Sequence, residues 1–185
     1  MTVDLLTRRI GSRESFAVEF ELRPGQERPL NEWWGSLWLW VNGNCVGDIK
    51  ETEMVSIGLG SLVNAANRAG SRVSSLLSSL PAKEALDLVM WAVYGDDDPK
   101  MNARISSRDS LYQFEILPAT DPFFRNWEAI LIEEKDTEKF IYRRVGGTVE
   151  EVEWAGGTFK ATILQAQTDF DRIGRLWNDG SALQC

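Results

Sequence analysis

Ser36-Leu37-Trp38-Leu39-Trp40-Val41-Asn42-Gly43-Asn44-Cys45-Val46-Gly47-Asp48 reads as a β-hairpin. Asn42-Gly43 fits a two-residue type I′ turn, because both residues tolerate the positive φ that the turn requires. That turn sets Trp40 opposite Cys45, Leu39 opposite Val46 and Trp38 opposite Gly47. Trp38 and Trp40 then share one face, and Gly47 leaves room beneath an indole. Leu37, Leu39 and Val41 occupy the other face. A strand apolar on both faces belongs in the middle of a sheet, covered on both sides.

Working outward, Phe16 to Leu22 alternates. Phe16, Val18, Phe20 and Leu22 point inward, and Glu19 and Glu21 are expected to face water. Arg23-Pro24-Gly25-Gln26 is a turn signal. Residues 56–80 read as a helix interrupted by Gly58, Gly60 and Gly70, ending in a serine-rich loop or frayed helix at 71–79. A firmer helix starts near Pro81 and stops at Gly95, with Leu86, Val89, Met90 and Val93 on its inner stripe.

Strands are expected next at Leu111–Ile116, 127–133, 140–144 and 149–154. The middle two are joined by the polar loop 134–138. After Gly156-Gly157, Thr158 is expected to cap a last helix whose stripe is Phe159, Ile163, Ala166, Phe170, Ile173 and Trp177. Gly180 onward is a polar tail. The order implies an α+β domain. A mostly antiparallel sheet is built from hairpins, two or three helices pack on it, and the C-terminal helix is amphipathic. The 185 residues form a single domain, with a core at about 10–178 and a tail at 179–185.

Composition narrows the function. The chain carries 28 acidic and 20 basic residues, a formal charge of −8 at pH 7. Nucleic-acid binding needs clustered Lys and Arg, so this balance argues against it and suits a basic partner. No apolar run is long enough to span a membrane, and the N-terminus lacks the pattern of a signal peptide, so a cytoplasmic location is expected. The two cysteines, Cys45 and Cys185, are expected to be free thiols. The absence of histidine removes the commonest general base, the commonest transition-metal ligand and the usual partner of a catalytic Ser or Cys.

No catalytic, cofactor-binding or metal-binding residue emerges. Asp96-Asp97-Asp98 lacks the spacing of a calcium loop and reads as a solvated loop. The glutamates stand in clusters or alternate with apolar residues, unlike a carboxylate pair tuned for catalysis. The acidic residues Asp96, Asp97, Asp98, Glu133, Glu134, Asp136, Glu150, Glu151 and Glu153 are candidate contacts for a basic protein. Trp33 and Trp34 precede the hairpin, and adjacent tryptophans do not both bury easily from a strand. One of them is therefore a candidate surface anchor.

Phe16-Ala17-Val18-Glu19-Phe20-Glu21, the stretch Gly35 to Asp48, and Asn126-Trp127-Glu128-Ala129-Ile130-Leu131-Ile132-Glu133 together resemble the bacterial immunity protein 42 family. The resemblance spans most of residues 10–170. Its most specific part is the aromatic strand, Asn-Gly turn and Gly-Asp ending. It implies an immunity protein of a polymorphic toxin or contact-dependent growth-inhibition system. Such a protein binds the toxin's C-terminal domain as a heterodimer and blocks its active site or substrate entry, without catalysis. The acidic charge suits a basic nuclease as that toxin. A small-molecule-binding or carboxylate-using α+β enzyme is the alternative from another class, and a scaffold subunit assembling through the last helix is a third.

Overall fold

The computed structural model describes residues 6–23, 33–48, 50–105 and 107–178, with side chains through Leu176. The turn expected at 23–26 lies largely outside them, as do the polar tail, Cys185 and the side chain of Trp177.

The hairpin forms as its sequence requires. Strand β3 (Trp34–Val41) turns through Asn42 (φ 48°) and Gly43 (φ 82°) into β4 (Asn44–Val46). Leu39 pairs with Val46, Trp40 with Cys45 and Val41 with Asn44. β4 ends at Val46, but Gly47 still lies against the Trp38 Cβ, where an added methyl group would sit only 3.1 Å away. β1 (Leu6–Gly11) and β2 (Phe16–Leu22) complete the order β1-β2-β3-β4, and β5 (Glu53–Met54) pairs with the start of β3. β3 is therefore central, with neighbours on both sides.

A second antiparallel sheet joins β6 (Trp127–Glu133), β7 (Thr137–Arg144) and β8 (Glu150–Ala155) in sequence order. The antiparallel pairing read from the hairpins holds, divided between two sheets. Five α-helices accompany the described strands: α1 (Val55–Asn67), α2 (Ser75–Ser79), α3 (Ala82–Tyr94), α4 (Pro99–Asn102) and α5 (Thr158–Asn178).

The main core lies between the two sheets, α1 and α5. Phe16, Val18, Phe20 and Leu22 of β2 meet Leu131 and Phe140 of the second sheet and Phe159, Ile163, Ala166, Phe170 and Ile173 of α5. The apolar stripe on α5 thus packs inward. The opposite face of the second sheet presents Ile130, Ile132 and Ile141 to Leu86 and Val89 of α3. This double coverage explains why residues 129–132 are apolar without alternation.

Four local expectations change. Glu19 is buried, not solvated. Its carboxylate accepts from Arg13 Nη2 at 2.8 Å and from Trp40 Nε1 at 2.9 Å, and Arg13 stacks over the Trp40 ring. Residues 111–114 form part of a 3₁₀ helix (Asp109–Phe114) instead of a strand. Leu111 and Phe114 point inward three residues apart while Tyr112 is exposed, which is helical spacing. α1 runs unbroken through Gly58, because that glycine admits close packing: a Cβ there would stand 2.5 Å from the Phe123 ring. Lastly, Thr158 does not cap α5, since its hydroxyl donates to Ala155 O while Glu138 receives the helix's first N–H groups.

The Phe16 ring lies 4.8 Å from Trp154 and 5.6 Å from Phe159, centroid to centroid. Phe16→Ala should lower unfolding free energy by about 3–5 kcal/mol, read from urea denaturation. A loss under about 1 kcal/mol would contradict this core assignment.

Candidate functional site

The candidate acidic residues fall into separate places. Trp33 and Glu133 leave the accessible set. Trp33 is 7% exposed and packs in the main core, whereas Trp34 is 38% exposed at the start of β3. The reason is strand alternation, which sends adjacent side chains to opposite faces.

Glu133 ends β6 and is 8% exposed. Its Oε2 accepts from Gly70 N at 2.6 Å and Arg72 N at 3.2 Å, and its Oε1 from Arg72 Nη2 at 3.0 Å. Arg72 is fully buried and also donates to Ala65 O at 2.6 Å. Burial pushes the Arg72 pKa down, and the Glu133 carboxylate opposes that shift. No sequence pattern marked this pair, because an arginine in a serine-rich connection is ordinarily solvated.

Glu134 and Asp136 remain exposed on the β6–β7 turn. With Glu133, Lys135, Glu138, Val73 and the glycines at 70, 156 and 157, they line an acidic cleft of about 440 Å³. On β8, Glu151 and Glu153 share the face that carries Lys139, and Lys139 Nζ lies 3.8 Å from Glu151. Glu150 points to the opposite face. These three glutamates are exposed.

Asp96 and Asp97 are exposed and Asp98 half-buried in the loop after α3. Asp98 accepts from Lys100 N at 2.8 Å and caps α4, Asp97 accepts from the Asn102 amide, and the Asp96 carbonyl accepts from Trp91 Nε1. These contacts are those of a loop that orders itself. Among the described residues no group of three or more Cys, Asp or Glu is placed to hold a metal ion.

Cys45 is half-buried, and burial with the nearby Glu19 charge raises its thiol pKa to about 11. It is therefore protonated at neutral pH and is a weak nucleophile there. No helix among the described residues is long and apolar enough to cross a membrane.

The architecture is that of an α+β domain with two antiparallel sheets and outward-facing carboxylates. The profile of the family described as immunity protein 42 matches residues 1–169, and the chain belongs to that family. It is an immunity protein, and its role is to neutralise a toxin. Among curated proteins none matches the chain. In structure it is similar to the crystal structure of CdiI from Burkholderia dolosa AUO158, with a TM-score of 0.66 and 14% identity. That likeness covers 88% of this chain and 99% of the other, and it extends the α+β fold to a protein of very different sequence.

The two classes of glutamate should separate on substitution. Glu133→Ala leaves Arg72 buried without its counter-charge and should cost about 3–5 kcal/mol of stability. Glu134→Lys with Asp136→Lys should leave the melting temperature within about 2 °C, as for other exposed positions. Thermal denaturation of both variants followed by circular dichroism reads the difference. Equal melting temperatures would refute the distinction.

Proposed function

We propose that this chain neutralises one cognate toxin C-terminal domain by direct 1:1 binding in the cytoplasm, as part of a contact-dependent growth-inhibition system. The carrying observation is membership of the immunity protein 42 family over residues 1–169. The similarity to a CdiI supports the assignment to that kind of system. The chain acts as an inhibitor and not as an enzyme. In support, it has no histidine, its half-buried thiol is protonated, and Glu133 and Glu138 are bound internally.

The toxin is a basic nuclease in this reading. Support comes from the formal charge of −8 and from Glu134, Asp136, Glu150, Glu151 and Glu153, all exposed. Clefts that bind nucleic acid are lined with Lys and Arg. An opposed field raises encounter rates by about 10 to 1000-fold. Trp34, exposed at the start of β3, supplies an anchor of the kind that dominates interface energy. Asp96 and Asp97 extend the acidic surface from a second loop.

Co-expression with the toxin domain encoded immediately upstream should restore growth, and the two proteins should co-purify. Growth arrest despite soluble expression of both would overturn the reading. Within that complex, reversing Glu134, Asp136, Glu150 and Glu151 to Lys should slow association about tenfold or more at low salt with the fold intact. Stopped-flow rates unchanged from wild type at low ionic strength would remove these residues from the interface.

A further inference from the structure

Two adjoining cavities, about 440 and 280 Å³, open where β4 of the first sheet meets β6 and β7 of the second. Both are lined by Cys45, Trp127 and Arg144, so they adjoin along a shared wall, and the two together are the groove. The Trp127 ring is half-buried and lies 6.4 Å from the ring of Tyr142. Gly47, at φ 128°, lines the first cavity and packs its backbone against the interior, where a Cβ would meet Trp38 and Phe124 at 3.1 and 3.2 Å.

The polar groups of the groove are weighted toward donors. Lys50 and Arg144 line it, and neither forms an ion pair among the described residues. Asp48 also lines it; its Oδ1 accepts from Lys50 N at 3.1 Å, and its charge acts on Cys45 in the same wall, so one carboxylate stands against the cations of this cavity. Arg143 borders the second cavity and is already paired with Asp87 and Glu128. Tyr142 accepts from Asn44 Nδ2 at 3.2 Å, which leaves its hydroxyl proton to donate. Glu150 borders the far end. Between Lys50 and Arg144 the wall therefore offers two cations beside an aromatic face, within a chain whose net charge is strongly negative.

We propose that this groove receives a loop of the toxin domain that carries an Asp or Glu side chain. Its carboxylate sits between Lys50 and Arg144, and an adjacent apolar side chain lies on Trp127. The proposal rests on the immunity reading above and adds to it. The outward carboxylates set the rate of encounter with a basic partner, and the groove sets the register of the bound complex. Each cavity has room for one or two side chains and not for a folded element, which fits a loop tip. A guanidinium and a carboxylate pair in a fixed, directional geometry, so such a contact discriminates between toxins. Because the occupant is acidic, this contact opposes the general sign of the partner's charge. A toxin without the acidic loop gains nothing from it.

The test uses the full chain and the toxin domain encoded immediately upstream. Wild-type binding is established first, and its absence would indict the immunity reading instead of this groove. Lys50→Glu with Arg144→Glu should then weaken the complex about 100-fold or more, with dissociation faster and the melting temperature unchanged. Affinity within about twofold of wild type would overturn the proposal. A set of single Asp→Lys and Glu→Lys toxin variants should contain one that restores binding to the reversed chain while losing affinity for wild type. If binding is weakened but no toxin variant restores it, the occupant is not an acidic loop and the proposal fails. Trp127→Phe keeps an aromatic face and should cost no more than about tenfold. A loss as large as that of the charge reversal, with a lowered melting temperature, would place Trp127 in the scaffold and overturn its role against the loop.

Discussion

Two carboxylates that face each other across the β6–β7 hairpin hold this fold together. Glu133 and Glu138 form the last cross-strand pair before the turn, and both are buried. Like charges directly opposite one another on a sheet ordinarily repel. Here each carboxylate has a separate positive partner. Glu133 takes the buried Arg72 guanidinium and the Gly70 N–H, and so fixes the chain between α1 and α2. Glu138 takes the Gly157 and Phe159 N–H groups, at the positive end of α5. Arg72 also lies over the Phe159 ring, so the two anchors meet at the start of α5. The second sheet, the helical connection and the C-terminal helix are thus joined at one corner. The large aromatic residues of β2, β7 and β8 then fill the space beside it.

This arrangement gives the run Glu133-Glu134-Lys135-Asp136-Thr137-Glu138 two different tasks. Its ends turn inward and organise the scaffold, and its middle turns outward and carries charge. A binding protein profits from that division, because charged groups presented from a rigid turn lose little freedom when a partner docks. The same logic applies to the aromatic pair Trp33-Trp34, of which one anchors the core and the other stands at the surface.

Much of the fold was legible because local chemistry was decisive. Asn42-Gly43 admits a narrow set of turns, and that turn fixed the pairing of Trp40 with Cys45. The four-and-three spacing from Phe159 to Ile173 left α5 a single buried face. Family membership was also readable, through the resemblance carried by the aromatic hairpin and the stretch at 126–133, and the family's profile matches residues 1–169. Readings that depended on distant partners failed. Glu19 alternates with apolar residues as a solvated residue would, and its burial is made tolerable by Arg13 in the β1–β2 turn, Trp40 of β3 and the more distant Arg9 of β1. Glu133 belongs to an acidic cluster, and its burial depends on an arginine 61 positions away in sequence. The segment at 111–116 has aromatic residues at strand spacing, yet contact with α3 and β6 selects a 3₁₀ turn. The groove at Trp127 lay beyond sequence reading because it forms where two sheets meet.

Titration calorimetry of this chain with the toxin domain encoded immediately upstream tests the central claim most directly. The account predicts one site per chain and a dissociation constant of about a nanomolar or tighter, equivalent to about −12 kcal/mol. No heat of binding at micromolar concentrations, with both proteins folded, would contradict neutralisation by direct binding.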